Sequence, residues 1–313
     1  MTSSATDRPL QLHEVAPPST GYALVLHGGA GGRVEELALD LQGRYTDGLT
    51  AAYLAGEEVL AAGGSALDAV CATVHQLEDD PLFNAGRGAA LTSSGEAELD
   101  ASVMTGDGRA GAVAASRYAR NPVRLARTVL EESRHVLVVV PAREVVEGWA
   151  LEVVEPGYFV TAGRQQQLAN VRARLAPAPT HGTVGAVALD ATGRIAAATS
   201  TGGMVNQSAG RVGDSPVIGA GTYARDGLVG ISCTGDGEAF LQGVVSHDVA
   251  SRMRYAGASL AQAVSDTVAE ELETRQATGG LIAVGADGRL VVAHNSPAMF
   301  AAYRDAGRLV TLT

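Results

Sequence analysis

The residue with the most suggestive chemistry is Thr183. It directly follows Gly182 and opens an apolar stretch typical of a strand, and the segment before it, residues 176–180, is Ala-Pro-Ala-Pro-Thr. A hydroxyl is a poor nucleophile unless a base lies beside it, and a threonine at a chain terminus supplies that base through its own α-amine. Cleavage of the bond before Thr183 would therefore create a threonine nucleophile behind an extended linker.

Gly182 fits the same hypothesis, because glycine adopts backbone conformations that other residues resist. With that freedom, the Thr183 hydroxyl could attack the preceding carbonyl and form an ester, which water would then open. A Gly-Thr pair is also common in ordinary proteins. Its alternative interpretation is a turn that leads into a strand.

The glycine-rich run from Gly28 to Gly32 could be taken for a phosphate-binding loop, since it follows an apolar strand-like stretch. It lacks the Gly-Lys-Ser/Thr ending of such loops, and no acidic residue stands at the spacing that a dinucleotide site needs. Nucleotide binding is therefore disfavoured. The seven histidines lack a metal-binding spacing, and the two cysteines, Cys71 and Cys233, are too few for a disulfide framework or a zinc site.

The composition excludes further function classes. The 313 residues include 34 acidic and 23 basic ones, which gives a net charge of −11. Such a charge repels nucleic acid and anionic lipid. No apolar run approaches the roughly 18 residues of a membrane helix. Residues 1–20 have no signal-peptide pattern, so we expect a flexible leader there, a single domain over residues 21–313, and a cytoplasmic protein.

Hydrophobic spacing and turn residues predict the elements that would position these groups. Predicted helices cover residues 49–60, 65–77, 121–133 and 260–272, and another begins at 238. Predicted hairpins cover residues 99–115, 183–200 and 281–292, with buried strands at 136–140 and 228–234. Antiparallel hairpins interleaved with helix pairs indicate a layered α+β fold rather than a doubly wound parallel sheet.

Four separated stretches resemble the plant-type asparaginase and isoaspartyl peptidase family, and they occur in the family's order. They are LVLHGGAGG, LEDDPLFNAGRGAALTSSGEAELDASVMTGDGRAGAVAA, GTVGAVALDATGRIAAATSTGGMVNQSAGRVGDSPVIGAGTYA and ISCTGDGEAF, and the likeness extends from about Ala23 to Tyr303. The resemblance implies a self-cleaving N-terminal-nucleophile hydrolase with a four-layer αββα sandwich. Cleavage would give an α chain of residues 1–182 and a β chain of residues 183–313.

The resemblance also implies roles for single residues around the nucleophile. Thr183 corresponds to the nucleophile, Thr201 to the hydroxyl that hydrogen-bonds it, and Asn84 to an asparagine near the nucleophile's amine and the scissile group. Thr234 and Gly235 correspond to the oxyanion hole, the donors that face a developing negative oxygen. Without the family context, these positions would be interpreted as a strand end, an Asx turn and a glycine turn.

Arg211 and Asp214 correspond to the pair that holds the substrate's α-carboxylate and α-ammonium, and Gly237 corresponds to a further backbone contact. The chemistry agrees, since arginine grips a carboxylate through two parallel hydrogen bonds and aspartate accepts from an ammonium. Taken alone, the two charged residues would be interpreted as a surface ion pair.

A structural alkali-metal ion is also implied by the resemblance, bound through backbone carbonyls in the stretch around residues 77–87. Carbonyl oxygens suit a hard cation. The expected ion is sodium, at the carbonyls of Leu77, Glu78, Phe83, Ala85 and Arg87. No organic cofactor or catalytic metal is implied, and the expected assembly is a homodimer of αβ units.

The predicted activity is hydrolysis of β-aspartyl dipeptides and L-asparagine with release of L-aspartate. Two alternatives stay open at this point. One is a glycosylasparaginase, which needs room for a sugar beside the clamp. The other is an uncleaved, catalytically silent binding protein of the same fold.

Overall fold

The computed structural model describes residues 9–31, 39–174 and 182–313, which form two sheets packed face to face with helices on both outer sides. The strands are β1 (Gln11–Val15), β2 (Ala23–Gly31), β3 (Leu99–Thr105), β4 (Ala110–Ser116), β5 (Leu137–Val139), β6 (Val184–Leu189), β7 (Ile195–Thr201), β8 (Thr222–Arg225), β9 (Val229–Gly235), β10 (Gly279–Gly285), β11 (Leu290–His294), β12 (Ala298–Asp305) and β13 (Arg308–Leu312). The helices are α1 (Leu39–Ala61), α2 (Ala66–Asp79), α3 (Pro122–Glu132), α4 (Arg143–Gly148), α5 (Ala162–Arg172), α6 (Gly237–Gly243), α7 (Val245–Ala256) and α8 (Leu260–Thr267).

The larger sheet has the order β13-β12-β2-β6-β7-β3-β4-β5, and the smaller has the order β1-β11-β10-β9-β8. Among the described strands, β4 and β5 pair in parallel across the α3 crossover, and the other neighbours are antiparallel. Helices α1 to α3 pack on the larger sheet, whereas α7 and α8 pack on the smaller one. The result is the predicted four-layer αββα sandwich.

The core has one apolar layer between the sheets and another beneath α1 to α3. Strand β2 shows why the central strands are apolar throughout, since successive side chains point to opposite faces. Val25 lies in the layer between the sheets, and Leu24 and Leu26 lie in the layer under the helices. A strand buried on both faces needs no polar alternation.

The predicted starts at residues 65 and 121 are confirmed, whereas the helix predicted over residues 49–60 begins ten residues earlier, at Leu39. One of the two predicted caps also works differently from the expectation. Ser65 is the N-cap of α2 and accepts a hydrogen bond from Asp68 N at 3.1 Å, as the capping box predicted. Asn121 precedes α3 but its side chain does not cap the helix. Its amide donates instead to Asp79 Oδ1 at 3.2 Å, which ties α3 to the end of α2.

Two sequence-based expectations are wrong in part. Gln11–Val15, within the segment expected to be flexible, forms β1 and pairs with β11, because the edge of the smaller sheet offers unpaired backbone groups. The run predicted as a buried strand at 136–140 forms β5, but at a sheet edge, where Val139 is 57% exposed. The predicted linker at 176–180 lies outside the described residues.

Two further observations bear on function classes considered from the sequence. None of the helices in the described ranges combines the length and apolarity that crossing a membrane requires. Cys71 and Cys233 are both free and buried, as expected for small hydrophobic residues, and burial raises the pKa of the Cys71 thiol to about 12.

Candidate active site

The antiparallel register of β6 and β7 brings Thr183 and Thr201 together. Val184 lies opposite Ser200, so the residue before β6 and the last residue of β7 meet at the same end of the larger sheet. The Thr183 hydroxyl donates to Thr201 Oγ1 at 3.1 Å, and both side chains are buried. Thr201 Oγ1 also accepts from Gly203 N at 3.0 Å, which fixes its position.

The carbonyl oxygen of Gly182 receives two hydrogen bonds. Asn84 Nδ2 donates to it at 2.6 Å, and Thr201 Oγ1 donates at 3.1 Å. The Asn84 side chain is itself held, because Nδ2 also donates to Gly203 O at 2.7 Å and Oδ1 accepts from Ala90 N at 2.6 Å. Attack of a hydroxyl on the Gly182 carbonyl would develop negative charge on this doubly bonded oxygen, which two fixed donors stabilise.

Gly182 packs closely against Asn84 and Gly29, and the contact with Asn84 explains why position 182 is a glycine. A Cβ at Gly182 would lie 2.9 Å from Asn84 Cβ, and on the other side a Cβ at Gly29 would lie 3.0 Å from Gly182 Cα. From the sequence, Gly182 was expected to serve through its backbone freedom. The structure assigns it to close packing instead, and Gly29 is the residue with a left-handed backbone, at φ +117°.

His27 holds the carbonyl side of Thr183. Its Nδ1 lies 2.9 Å from Thr183 O, and its Nε2 lies 2.9 Å from Ser232 Oγ. Burial lowers the pKa of His27 to about 3, so the ring is neutral at pH 7. Because a carbonyl only accepts, Nδ1 carries the proton and Nε2 accepts from Ser232. His27 thus positions Thr183 without carrying charge.

Thr234 and Gly235 are the last two residues of β9, and they lie beside the glycine-rich end of β2. The Thr234 hydroxyl accepts from Ala30 N at 3.3 Å, so its own proton can point toward a bound group. Gly235 has φ +147°, and a Cβ there would lie 2.5 Å from Gly279 Cα on the neighbouring strand β10. Only glycine fits this backbone and this spacing, and its amide is therefore presented at the strand end without a shielding side chain.

Arg211 and Asp214 converge on Gly237, the first residue of α6. A Cβ at Gly237 would lie 2.7 Å from Arg211 Nη2 and 2.9 Å from Asp214 Oδ1, so the glycine leaves room for both charged groups. Asp214 is only 4% exposed. The Arg211 side chain forms a bidentate ion pair with Glu238, with Nε–Oε1 at 2.9 Å and Nη2–Oε2 at 2.8 Å. These hydrogen bonds lower the pKa of the Glu238 carboxyl.

The site residues predicted from the sequence therefore fall into three groups that successive contacts connect. A Cβ at Gly29 would lie 3.3 Å from Thr183 N, the adjacent Ala30 N donates to Thr234 Oγ1, and β9 leads through Gly235 to Gly237 and the charged pair. Sequence reasoning missed His27 and Glu238. His27 stands inside the first matching stretch and Glu238 inside the last, but neither side chain has a local pattern that reveals its partner.

The loop predicted to hold a cation folds tightly onto itself after α2. Arg87 N donates to Glu78 O at 2.7 Å. Gly88 has φ +116°, and a Cβ there would lie 2.5 Å from Pro81 O and 2.9 Å from Phe83 O. Of the predicted carbonyl ligands, those of Glu78 and Phe83 line this turn. A turn lined with carbonyl oxygens has the donor chemistry that a hard cation needs.

Comparison with known proteins gives the family. A family model described as asparaginase matches residues 20–312. The chain belongs to the asparaginase family. This confirms the resemblance found in the sequence, and the four-layer sandwich is the fold of N-terminal-nucleophile hydrolases to which the family belongs.

Relatives of this asparaginase-family hydrolase come from bacteria, plants and animals. The isoaspartyl peptidase of Escherichia coli is 44% identical over 301 residues, which cover 91% of this chain and 93% of the relative. A probable isoaspartyl peptidase/L-asparaginase of Arabidopsis thaliana is 37% identical, with 90% and 94% covered. The human isoaspartyl peptidase/L-asparaginase is 42% identical over 226 residues, or 70% and 72%.

Proposed function

We propose that this chain is a threonine amidohydrolase that cleaves itself before Thr183 and then hydrolyses β-aspartyl dipeptides and L-asparagine to release L-aspartate. One observation carries the proposal. The Thr183 hydroxyl is hydrogen-bonded to Thr201 at 3.1 Å, while the carbonyl on its N-terminal side is held by two donors at 2.6 Å and 3.1 Å. The names of the relatives given above support the same substrates.

Self-cleavage would begin with attack of Thr183 Oγ1 on the Gly182 carbonyl carbon. The hydroxyl proton passes toward Thr201 Oγ1, the hydrogen-bonded acceptor, and the developing oxyanion is stabilised by the Asn84 amide and the Thr201 hydroxyl. As the tetrahedral adduct collapses, the proton taken from the hydroxyl is delivered to the departing Thr183 nitrogen, the peptide C–N bond breaks and an ester remains. Water hydrolyses that ester. The products are a new carboxylate on Gly182 and a free α-amine on Thr183.

Substrate hydrolysis would use the same hydroxyl with a new base. The α-amine of Thr183 takes the hydroxyl proton as Oγ1 attacks the side-chain carbonyl of the aspartyl group. The α-ammonium then returns that proton to the departing nitrogen as the C–N bond breaks, so the amine or ammonia leaves, an acyl-enzyme forms and the α-amine is neutral again. Thr234 and the Gly235 amide stabilise the oxyanion. A water molecule, deprotonated by the α-amine, then releases aspartate.

Recognition of the aspartyl group would depend on the charged pair beside Gly237. Arg211 offers a planar fork for the α-carboxylate, and buried Asp214 offers an acceptor for the α-ammonium. Because Glu238 occupies that fork with two hydrogen bonds, substrate binding must displace or rearrange it. A zwitterionic aspartyl end matches this pair of opposite charges better than an internal residue of a protein chain does.

The proposal extends to a cation and to assembly. A sodium ion would bind the carbonyl oxygens of Leu77, Glu78, Phe83, Ala85 and Arg87, where it would brace the loop that carries Asn84. We further propose a homodimer of αβ units, by likeness to the family. The cytoplasmic location expected from the sequence stays a prediction.

The deciding experiment compares the wild-type chain with Thr183→Ala. Intact mass after incubation should give fragments of residues 1–182 and 183–313 for the wild type only, and only the wild type should hydrolyse a β-aspartyl dipeptide. Thr73→Ala, a buried threonine on α2 outside the site, is the control for folding.

Each other outcome has a clear meaning. An active Thr183→Ala enzyme would overturn the nucleophile assignment. A wild-type chain that stays whole and inert would favour the silent binding protein. Hydrolysis of a glycosylated asparagine in preference to the dipeptide would favour the glycosylasparaginase.

A further inference from the structure

A line of buried polar side chains crosses the space between the two sheets, and we call it the polar chain. It starts at the nucleophile, where His27 Nδ1 donates to Thr183 O and His27 Nε2 accepts from Ser232 Oγ, both at 2.9 Å. Ser232 Oγ lies 2.7 Å from Thr199 Oγ1, which in turn lies 2.5 Å from Thr222 Oγ1. The polar chain therefore continues well beyond the histidine.

The far end of the polar chain reaches the segment that carries the charged pair. Ser102 Oγ lies 2.8 Å from Thr222 Oγ1 and 2.6 Å from the carbonyl oxygen of Ser215. Ser215 directly follows Asp214, the predicted partner of the substrate's ammonium. Ser102 is the donor at both of its contacts, so its single proton is shared between Thr222 Oγ1 and the Ser215 carbonyl. A continuous line of short polar contacts thus joins the Thr183 backbone to the backbone beside Asp214.

The direction of the hydrogen bonds near the nucleophile follows from elementary chemistry. Thr183 O can only accept, so the neutral ring of His27 must donate from Nδ1 and accept at Nε2. Ser232 then donates its only hydroxyl proton to His27, so in its contact with Thr199 it must accept, and the Thr199 hydroxyl must donate to it. Since each hydroxyl has a single proton, replacing one member deprives its neighbour of a specific partner.

The polar chain is fully enclosed. Its five side chains, those of His27, Ser102, Thr199, Thr222 and Ser232, are all 0% exposed. They come from both sheets, with His27, Ser102 and Thr199 on the larger and the other two on the smaller. Gly185 makes room for them, because a Cβ there would overlap Ser232 Oγ. Apolar side chains of similar shape would fill such a space at little cost in stability, so packing alone does not account for a polar line here.

We infer that the polar chain is a positioning device, which fixes the Thr183 backbone relative to the segment carrying Asp214 during the hydrolysis proposed above. The need arises from the cleavage itself. Once the bond to Gly182 is broken, Thr183 is held covalently only through its own carbonyl carbon, and its hydroxyl must still meet a substrate placed by Asp214. A hydrogen bond to that carbonyl, braced across the sandwich, restrains the residue at this point. Ser102, Thr199, Thr222 and Ser232 are positioning residues in this inference, which rests on the proposed role of Thr183.

The experiment uses fully cleaved enzyme and a β-aspartyl dipeptide. Ser232→Ala should lower kcat by roughly 10- to 100-fold, the range that follows from a nucleophile displaced by a fraction of an ångström to one ångström, and should leave KM nearly unchanged. Ser102→Ala, at the far end, should chiefly raise KM. Ser246→Ala is the matched control, since Ser246 is another serine with 0% exposure but lies on α7 outside the polar chain.

A second pair of variants separates hydrogen bonding from packing. Thr199→Ser keeps the hydroxyl and should keep the wild-type kcat, whereas Thr199→Val keeps the shape and should lower kcat as Ser232→Ala does. If Thr199→Val and Ser232→Ala both retain the kcat of Ser246→Ala, the inference is overturned. If Ser232→Ala fails to fold, as judged by thermal unfolding, the Thr199 pair decides alone, and equal kcat values for its two members overturn the inference.

The proposed function is tested separately by Thr183→Ala. Activity in that variant would refute the assignment of Thr183 as the nucleophile, and with it the proposed function. If Thr183→Ala is inactive but the polar-chain variants keep the wild-type kcat, the proposed function stands and only the positioning role is refuted.

Discussion

Replacing Asn84 should slow self-cleavage far more than it disturbs the fold. The Gly182 carbonyl oxygen has two donors, and the Asn84 bond, at 2.6 Å, is shorter than the 3.1 Å bond from Thr201. Removing one donor from an oxyanion hole typically costs about 100- to 1,000-fold in rate, or about 2.7–4 kcal/mol in the activation free energy. We therefore expect Asn84→Ala to cleave at least about 100-fold more slowly than the wild type.

Asn84→Asp tests the donor without changing the shape of the side chain. Its Oδ1 can still accept from Ala90 N, but the atom that replaces Nδ2 is an oxygen facing Gly182 O and Gly203 O. Repulsion between these oxygens should make Asn84→Asp at least as slow as Asn84→Ala.

The assay follows the uncut fraction over time by intact mass, starting from freshly purified precursor. Asn121→Ala is the matched control, because Asn121 is also an asparagine with 6% exposure, but its side chain bonds the carboxylates of Asp79 and Glu78 and not the Gly182 carbonyl. Thermal unfolding of each precursor reports folding independently. Cleavage of either folded Asn84 variant at the wild-type rate would refute the reasoning that Asn84 stabilises the oxyanion.

Three further predictions concern the charged pair, a buried carboxyl group and the oxyanion glycine. Arg211→Lys should raise KM for a β-aspartyl dipeptide roughly tenfold, because a point charge cannot replace the planar fork; an unchanged KM in steady-state kinetics would exclude Arg211 as the carboxylate ligand. Burial raises the pKa of Asp100 from 3.8 to about 6, so the folded chain holds a proton that the unfolded chain has released between those values. The unfolding free energy contributed by this group should therefore fall as the pH rises through that window. The change in unfolding free energy from about pH 4 to about pH 7, measured by urea titration, should therefore be more positive for Asp100→Asn than for the wild type. Gly235→Ala should destabilise the fold by about 1–3 kcal/mol and abolish hydrolysis, since alanine resists this backbone conformation, and wild-type thermal unfolding in that variant would contradict the strain argument.

Much of the site could be predicted because its residues lie in short contiguous motifs. Thr183 and Thr201 were assigned from their stretches, and the hairpin predicted between them places the two hydroxyls side by side, with Val184 opposite Ser200. Strand alternation and a turn at residues 190–193 suffice for that register. The resemblance to the family supplied the roles of these residues. From local spacing alone, they would have been interpreted as a strand end and a turn.

Other features could not be predicted, because a single segment does not carry them. The apolar run at 136–140 predicted a strand correctly, but hydrophobicity does not say whether a strand lies inside a sheet or at its edge, and β5 lies at the edge. Residues 11–15 have no strong strand pattern, and they become β1 because β11 offers a partner. Glu238 stands near the start of a helix, and nothing local to it indicates an arginine 27 residues away.

The sequence by itself therefore determined the family and the layered α+β class, and it predicted that Thr183 lies beside Thr201, since these depend on motifs and on the periodicities of strands and helices. Only the tertiary structure decided what surrounds them. His27 contacts a carbonyl 156 residues away and Ser232 contacts the same ring from 205 residues away, and both contacts exist because the two sheets stack face to face. Such pairings arise from packing between layers, which local sequence does not encode.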